Sequence, residues 1–453
     1  MKIYPDEAIS EDELFSSPDP TAKGRRQGPF GRFLRILGPG VITGAADDDP
    51  SGIAAYSQAG AQFGFATPWV MLVSLPLMTA VQEACARIGA VTGKGLAAVI
   101  RDQHGKKVLY PVVLLVVLAN TLNIGSDIGA MATSTQLIVP LSYPLLAVSF
   151  SLLMLVLEVF VSYRTYVKFL KWMALALLAY PLTALIIHID WLEALRQTVI
   201  PQLRFDKNFM YILVAILGTT ISPYLFFWQT SEVVEEEIAV HRLAIRGKTP
   251  PRISRKYMHN LRLDNFIGMT FSAVMAWFII VVAAVTLNRS GVTSINTAAD
   301  AARALEPLVH GFPNAGYIAK VIFSFGVIGI GLLSVPVLAG SSSYAVSEAF
   351  GWREGLYRKF RQARAFYIII ILGMLLGLGM NFIGIDPIKA LIFTAVFNGI
   401  AAVPLIYLVA RLSTNKAVLG EQYVGRFWSR LGLWSAWIVM FVAAIALLIS
   451  FLL

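Results

Sequence analysis

An all-α integral membrane protein with eleven transmembrane helices is the fold that the sequence predicts. Three observations lead there. Apolar residues make up 57% of the 453-residue chain and charged residues only 14%, against about 25% charged in soluble domains, so there is too little polar surface to cover a water-facing globule. The apolar residues gather in long runs, among them 108–118, 145–161, 266–287 and 436–453, and runs near 20 residues with few charges read as spanning helices that satisfy their own backbone in lipid. The basic residues behind the net charge of +10 fall in short loops between those runs, as membrane topology requires and as a nucleic-acid-binding stripe does not.

Taken in order, residues 1–35 form a tail that is acidic, then basic, without the apolar core of a cleavable signal. Spans follow near 36–62, 66–92, 107–138, 141–162 and 166–188. An interfacial segment at 189–207 carries Trp191, Glu193, Arg196 and Pro201, and further spans lie near 208–236, 258–289, 315–345, 364–380, 388–411 and 428–452. With the N-terminus inside, 29 of the Lys and Arg residues lie on the inner side and 7 on the outer, leaving Arg87 within the second span. The positive-inside rule therefore predicts a plasma-membrane protein with a cytoplasmic N-terminus and, since the span count is odd, an extracytoplasmic C-terminus. The lone cysteine, Cys85, excludes an internal disulfide and says nothing about compartment.

The first and sixth spans are both interrupted by polar residues and proline, and they stand five helices apart. An odd offset inverts the second copy in the bilayer. The expected domains are thus a first five-helix repeat at 36–188, the extracytoplasmic interfacial segment at 189–207, a second repeat at 208–411, and a loop with the eleventh helix at 412–453. In inverted-repeat transporters the substrate site lies at the broken helices.

The first break reads Gly44-Ala45-Ala46-Asp47-Asp48-Asp49-Pro50-Ser51-Gly52. Each carboxylate inside an apolar span costs about 2.5–3.5 kcal/mol on insertion scales. Helix capping accounts for Asp49 before Pro50, but it does not account for Asp47 and Asp48, so the cluster is expected to handle a cation. The second break reads Gly218-Thr219-Thr220-Ile221-Ser222-Pro223-Tyr224. Pro223 removes a helix hydrogen bond and frees carbonyls near Thr219. The plain alternative is a proline kink whose Ser and Thr side chains re-satisfy the backbone; pairing with the first break favours a site. Gln229 and Asn398 are further polar residues expected to line the pathway. Glu83 and Arg87, four apart, read as an intrahelical ion pair. Glu232 and the acids 235–237 are either a solvated face or a vestibule that concentrates cations.

Residues 38–98 resemble the Nramp metal-transporter family, through Gly38-Pro39-Gly40, Asp49-Pro50-Ser51-Gly52 and the stretch from Gln82-Glu83-Ala84-Cys85-Ala86-Arg87 to Gly93-Lys94-Gly95-Leu96-Ala97. The likeness extends weakly over most of the chain. It implies a leucine-transporter-like fold of five plus five helices and a divalent cation bound between the unwound first and sixth helices. The departures carry chemistry. The family's Asp-Pro-Gly-Asn becomes Asp49-Pro50-Ser51-Gly52, which keeps the aspartate and loses the asparagine. Its Met-Pro-His becomes Ser222-Pro223-Tyr224, which loses a thioether and an imidazole. The third-helix acids of proton-coupled members are matched by Asn120 and Asn123.

Carboxylate, carbonyl, hydroxyl and water suit Mg²⁺ and Mn²⁺ better than softer metals, and Mg²⁺ tends to keep several waters. Loss of bulk at Gly52 and Ser222 would leave room for a partly hydrated ion, a pattern that resembles the Nramp-related magnesium transporter branch. The expected ligands are the Asp49 carboxylate, carbonyls of Ala46 and Thr219, and Ser222, with Asp48 adding field strength; Asp47, Gly52 and Tyr224 line the pathway. Asn120 and Asn123 cannot accept a proton, so weak or absent proton coupling is expected. Asp127, seven residues after Asn120 on the same helix face, reads equally as a relocated proton acceptor or as a structural partner of a neighbouring helix.

The expected function is secondary transport of divalent cations, with Mg²⁺ or Mn²⁺ as transported substrate, no cofactor, lipid as surroundings and no nucleic acid; the sequence assigns no oligomeric state. A proton-coupled Mn²⁺/Fe²⁺ carrier is the first alternative. An amino-acid or organic-cation symporter is the second, disfavoured because three aspartates would repel a carboxylate substrate. A metal-sensing scaffold would have little use for two helix breaks. No nucleophile–base pair, phosphate loop or metal-hydrolase spacing supports an enzyme.

Overall fold

The computed structural model describes residues 44, 47–160, 175–239 and 253–452. Among these, every regular element is helical, as a chain that must satisfy its backbone inside lipid requires. The tail at 1–35, the first part of the first span including Ala46, most of the 242–262 basic loop and the start of the fifth span lie outside the described residues.

The long apolar runs become long helices. These are α2 (Trp69–Thr92), α4 (Lys106–Gln136), α5 (Tyr143–Phe160), α10 (Arg255–Ala283), α12 (Ala315–Phe350), α13 (Arg364–Met380), α14 (Pro387–Ser413) and α16 (Phe427–Ser450). The expected spans near these positions agree with them to within a few residues, except that α12 runs five residues further and α10 stops six residues short, the chain continuing there as a π-helical turn (Ala284–Asn288). The end of the fifth span is a 3₁₀ turn (Leu175–Leu178) followed by α6 (Ala179–Ile186). In the 189–207 region, α7 (Trp191–Val199) starts where the Asp190 side chain accepts the Glu193 N–H.

The two interrupted spans are broken in fact. Helical backbone at Asp47 gives way to a bend at Asp48 and an extended Asp49 (φ −63°, ψ 170°), after which α1 (Pro50–Phe63) begins. In the sixth span α8 (Lys207–Thr220) stops at Ile221, which leaves helical geometry (φ −120°, ψ 58°), and α9 (Pro223–Ala239) resumes after Ser222. At 14 residues each, α1 and α8 are about 21 Å long, too short to cross a ~30 Å hydrocarbon core alone.

Packing places both breaks at the centre. α1 lies against α10, α8 and α14; α9 lies against α2 and α12; and α4 is backed by α12, α13 and α14. Close backbone approach fixes two of these crossings. A β-carbon on Gly218 would fall 2.0 Å from the Ala395 carbonyl oxygen of α14, and one on Gly44 would fall 2.3 Å from the Gly268 carbonyl oxygen of α10. Large apolar side chains such as Leu114, Leu152, Leu376 and Val442 stay exposed on the outside, the arrangement a lipid-facing surface requires and a water-facing one penalises.

Three short helices had no counterpart in the hydropathy reading: α3 (Leu96–His104), α11 (Ala298–Ala302) and α15 (Lys416–Tyr423). They are too short and polar to register as spans. α3 has no side-chain cap of its own; the Glu348 carboxylate, from the end of α12, accepts the Ala97 and Ala98 N–H groups at 2.9 and 3.2 Å. That contact spans 251 residues, which local patterning cannot see.

Candidate cation site at the two helix breaks

Asp47, Asp48 and Asp49 are fully buried. Asp49 serves as the N-cap of α1, its Oδ1 accepting the Gly52 N–H at 2.9 Å and the Ser51 hydroxyl at 2.5 Å. Asp47 and Asp48 turn to α10, where one hydroxyl, Ser272 Oγ, lies 3.0 Å from Asp47 Oδ2 and 3.1 Å from Asp48 Oδ1. A hydroxyl has one proton, so it cannot satisfy both. Asp47 Oδ1, Asp48 Oδ2 and Asp49 Oδ2 have no hydrogen-bond partner. Buried carboxylates left like this are costly unless something positive meets them.

The second break carries no formal charge and repairs its own backbone. Ser222 Oγ donates toward the carbonyls of Thr219 (2.7 Å) and Gly218 (3.0 Å), and Thr220 Oγ1 donates to Ile216 O at 2.9 Å. The two breaks approach each other where Ser51 Oγ and Thr219 Oγ1 stand 3.5 Å apart. Tyr224, fully buried, lies within electrostatic reach of Asp49 and Asp127, and its carbonyl accepts Ser341 Oγ of α12 at 2.8 Å.

Several sequence expectations change against this geometry. The Thr219 carbonyl is not free, because Ser222 holds it; a carbonyl keeps a second lone pair, so only its unencumbered state is lost. Gly52 opens no room, since a β-carbon there would meet Thr219 Oγ1 at 3.1 Å and the Tyr56 ring at 3.2 Å. Those two side chains fill the space the missing asparagine vacates. Asp48 faces Ser272 rather than the second break. Asn120 is engaged structurally, its Nδ2 donating to Leu338 O and Ser342 Oγ of α12 at 3.1 and 2.9 Å. Ala46 lies outside the described residues.

Other expected residues stay at the core. Asn123 and Asn398 are fully buried with both amide atoms of each unpartnered. One helical turn from each, Ser126 Oγ on α4 and Thr394 Oγ1 on α14 stand 3.3 Å apart. Gln229 is buried in α9. Asp127 has a partner on a neighbouring helix: its Oδ2 accepts Ser334 Oγ of α12 at 2.9 Å, while Oδ1 has no partner. Glu83 and Arg87 pair at 3.2 Å, and Glu83 also takes Arg262 at 2.9 Å, while Arg87 reaches Ser413 at 2.7 Å and Ser429 at 3.1 Å. Of the acids at the end of α9, Glu235 accepts the Leu356 N–H at 2.7 Å and the Tyr344 hydroxyl.

Sequence reasoning missed Ser272, Ser334, Tyr56 and Glu158. Ser272 and Ser334 are hydroxyls inside otherwise apolar spans, a weak signal. Glu158, a carboxylate in the fourth span with neither oxygen partnered, was the strong signal passed over. Among the described residues, no group of three or more His, Cys, Asp or Glu is arranged to hold one metal ion. A cation at Asp49 would therefore rest on one carboxylate plus neutral oxygens.

Two broken helices meeting at a charged centre, inside a helical membrane bundle, define a transporter of the leucine-transporter-like architecture. The fold neighbours agree. The manganese transporter of Eremococcus coleocola matches with a TM-score of 0.69 at 16% identity, over 96% of this chain and 90% of that one. MhsT in complex with L-phenylalanine matches with a TM-score of 0.53 at 16% identity, over 95% and 99%. The family model described as "Natural resistance-associated macrophage protein-like", Nramp, matches residues 40–450, and the chain belongs to this family. It is a membrane transporter and not an enzyme. Among its relatives are the divalent metal cation transporters MntH of Acidiphilium cryptum, 26% identical over 86% of this chain and 85% of that one, and of Klebsiella pneumoniae, 26% identical over 88% and 90%.

Proposed function

We propose that the chain carries hard divalent cations, Mn²⁺ and Mg²⁺, across the plasma membrane by alternating access, with the basic side facing the cytoplasm. The observation that supports this most is the donor chemistry at the breaks. Asp49 Oδ2 is buried and unpartnered, and every side chain with a donor atom in 44–52 and 218–224 offers oxygen alone. Oxygen donors suit Mg²⁺ and Mn²⁺, whereas thioether selects softer ions. The relatives described as divalent metal cation transporters and the structural neighbour described as a manganese transporter support the cation reading and favour Mn²⁺ at least as much as Mg²⁺.

In this reading Asp49 supplies the charge, and the Thr219 carbonyl and the Ser222 hydroxyl contribute neutral oxygens to the shell. Ser222 would exchange its bond to Thr219 for the ion or its water. Tyr224, Asn123, Asn398 and Gln229 line the route. Proton movement is weak, because Asn120 and Asn123 cannot take a proton. One observation favours a second reading, a proton-coupled Mn²⁺ carrier: Asp127 Oδ1 is buried and unpartnered, and the residue lies within electrostatic reach of Asp49.

Reconstitution in liposomes with internal metal and pH indicators separates these. Saturable Mn²⁺ and Mg²⁺ entry, lost in Asp49→Ala and without acidification, is the expected result. Mn²⁺ entry with acidification that Asp127→Asn removes would establish the second reading. Flux unchanged in Asp49→Ala would defeat both.

A further inference from the structure

We propose that the first helix break holds a second cation site, distinct from the one at Asp49, in which Asp47, Asp48, Ser272 and Tyr56 bind a divalent cation between the first span and α10. It rests on the reading that this transporter handles hard divalent cations.

The three adjacent aspartates divide into two groups. Asp49 turns into α1 as its cap, through Gly52 N–H and Ser51. Asp47 and Asp48 converge instead on a single hydroxyl of α10, 3.0 Å from Asp47 Oδ2 and 3.1 Å from Asp48 Oδ1. The division agrees with the absence, among the described residues, of any three acidic or imidazole groups converging on one metal position. One ion cannot serve all three carboxylates in this geometry.

What remains at Asp47 and Asp48 is a pair of buried charges with no compensation. Asp47 Oδ1 and Asp48 Oδ2 have no partner. No ion pair among the described residues includes either of them. A separate side chain points to a ligand as well. Tyr56, on α1, is fully buried, its hydroxyl has no partner at good hydrogen-bond geometry although the Thr219 hydroxyl is near it, and it lies within electrostatic reach of Asp48 and Asp47 as well as Asp49. A helical side chain leans toward the helix N-terminus, which carries the Tyr56 hydroxyl back toward the break. The Gly44–Gly268 crossing holds the backbone just before Asp47 against α10, so these carboxylates cannot swing away to water without separating the helices.

Two carboxylates, one alcohol and one phenol form an all-oxygen set whose two negative charges match one divalent ion. Such a set suits Mg²⁺, Mn²⁺ or Ca²⁺ and offers nothing to a soft metal.

The test is equilibrium binding of radioactive Mn²⁺ to the purified full-length protein in detergent, with monodispersity on size exclusion as the folding control. Wild type is expected to bind two ions per chain. The double variant Asp47→Asn/Asp48→Asn and the single variant Asp49→Asn are each expected to bind one. Ser272→Ala, a milder change, is expected to keep both ions and weaken one by about tenfold, the order of one lost hydrogen bond to a charged group. A wild-type stoichiometry of one overturns the proposal, as does a double variant that still binds two. Infrared carboxylic-acid bands lost in the double variant and insensitive to Mn²⁺ would mean that protons neutralise Asp47 and Asp48, and would overturn it as well. The binding count is separate from flux. Transport with a single bound ion defeats this proposal alone, while two bound ions without transport defeat the functional reading alone.

Discussion

The two helix breaks are related by position in the fold but not by chemistry. At the first, three buried carboxylates leave three oxygens unpartnered. At the second, the Ser222 hydroxyl returns to the Thr219 and Gly218 carbonyls that Pro223 and the helix break release. One break accumulates unmet charge while the other closes its own hydrogen bonds. In the proposed reading the first would supply affinity, and the second a hinge whose bonds can be traded for a ligand at small cost, because each hydroxyl–carbonyl bond contributes only about 0.5–1.5 kcal/mol net. A symmetric pair of charged breaks would hold a cation too tightly to release it.

The largest effect that would sharpen this contrast is at Asp49. Asp49→Ala should reduce Mn²⁺ flux in liposomes by about 100-fold or more, the order expected when a buried charge partner worth ~3–5 kcal/mol is removed. A residual rate above one tenth of wild type would mean that the charge of the first break is not what binds the cargo. Ser222→Met should come next, since a thioether at the second break admits a softer metal. Cd²⁺ entry is expected to rise about tenfold relative to Mg²⁺ entry, and an unchanged ratio would show that position 222 does not face the cargo. Gly218→Val tests the hinge as packing. With 2.0 Å between the added β-carbon and Ala395 O, overpacking of about 1–3 kcal/mol should lower the unfolding temperature of the detergent-solubilised protein, and no shift would place α8 further from α14. The smallest effect is expected from Ser222→Ala, which removes one repairable bond. Mn²⁺ flux should change less than about tenfold; a loss as large as that at Asp49 would make the two breaks equals and dissolve the comparison.

Hydropathy made the bundle legible because lipid imposes one requirement on every span, and 20-residue apolar runs are its direct signature. Both breaks were legible for the complementary reason that polar residues and proline inside such runs are costly. What the sequence did not disclose is direction. Nothing local says that Asp48 turns to Ser272, 224 positions away, or that Thr219 and Tyr56 close the space beside Gly52. The cap that Glu348 places on α3 and the grip of α12 on Asn120 were hidden for the same reason, since each is settled by which helix faces which. Glu158 was a different failure: its cost was visible in the sequence, but no motif drew attention to it.

The cluster around Arg87 bears on how the molecule is made. Its guanidinium is wholly enclosed, yet its neighbours come from distant parts of the chain: Glu83 on its own helix, Ser413 at the end of α14, and Ser429 in the first turn of α16. Synthesis delivers Arg87 to the bilayer more than three hundred residues before Ser413 and Ser429 exist. Until then a charged side chain in the second helix is held by Glu83 alone, and the nascent bundle carries an incomplete polar joint. Arrival of α16 completes it. The α16 helix thus acts as a clasp, and a chain truncated before it would present the membrane quality-control machinery with a charge that the complete cluster encloses.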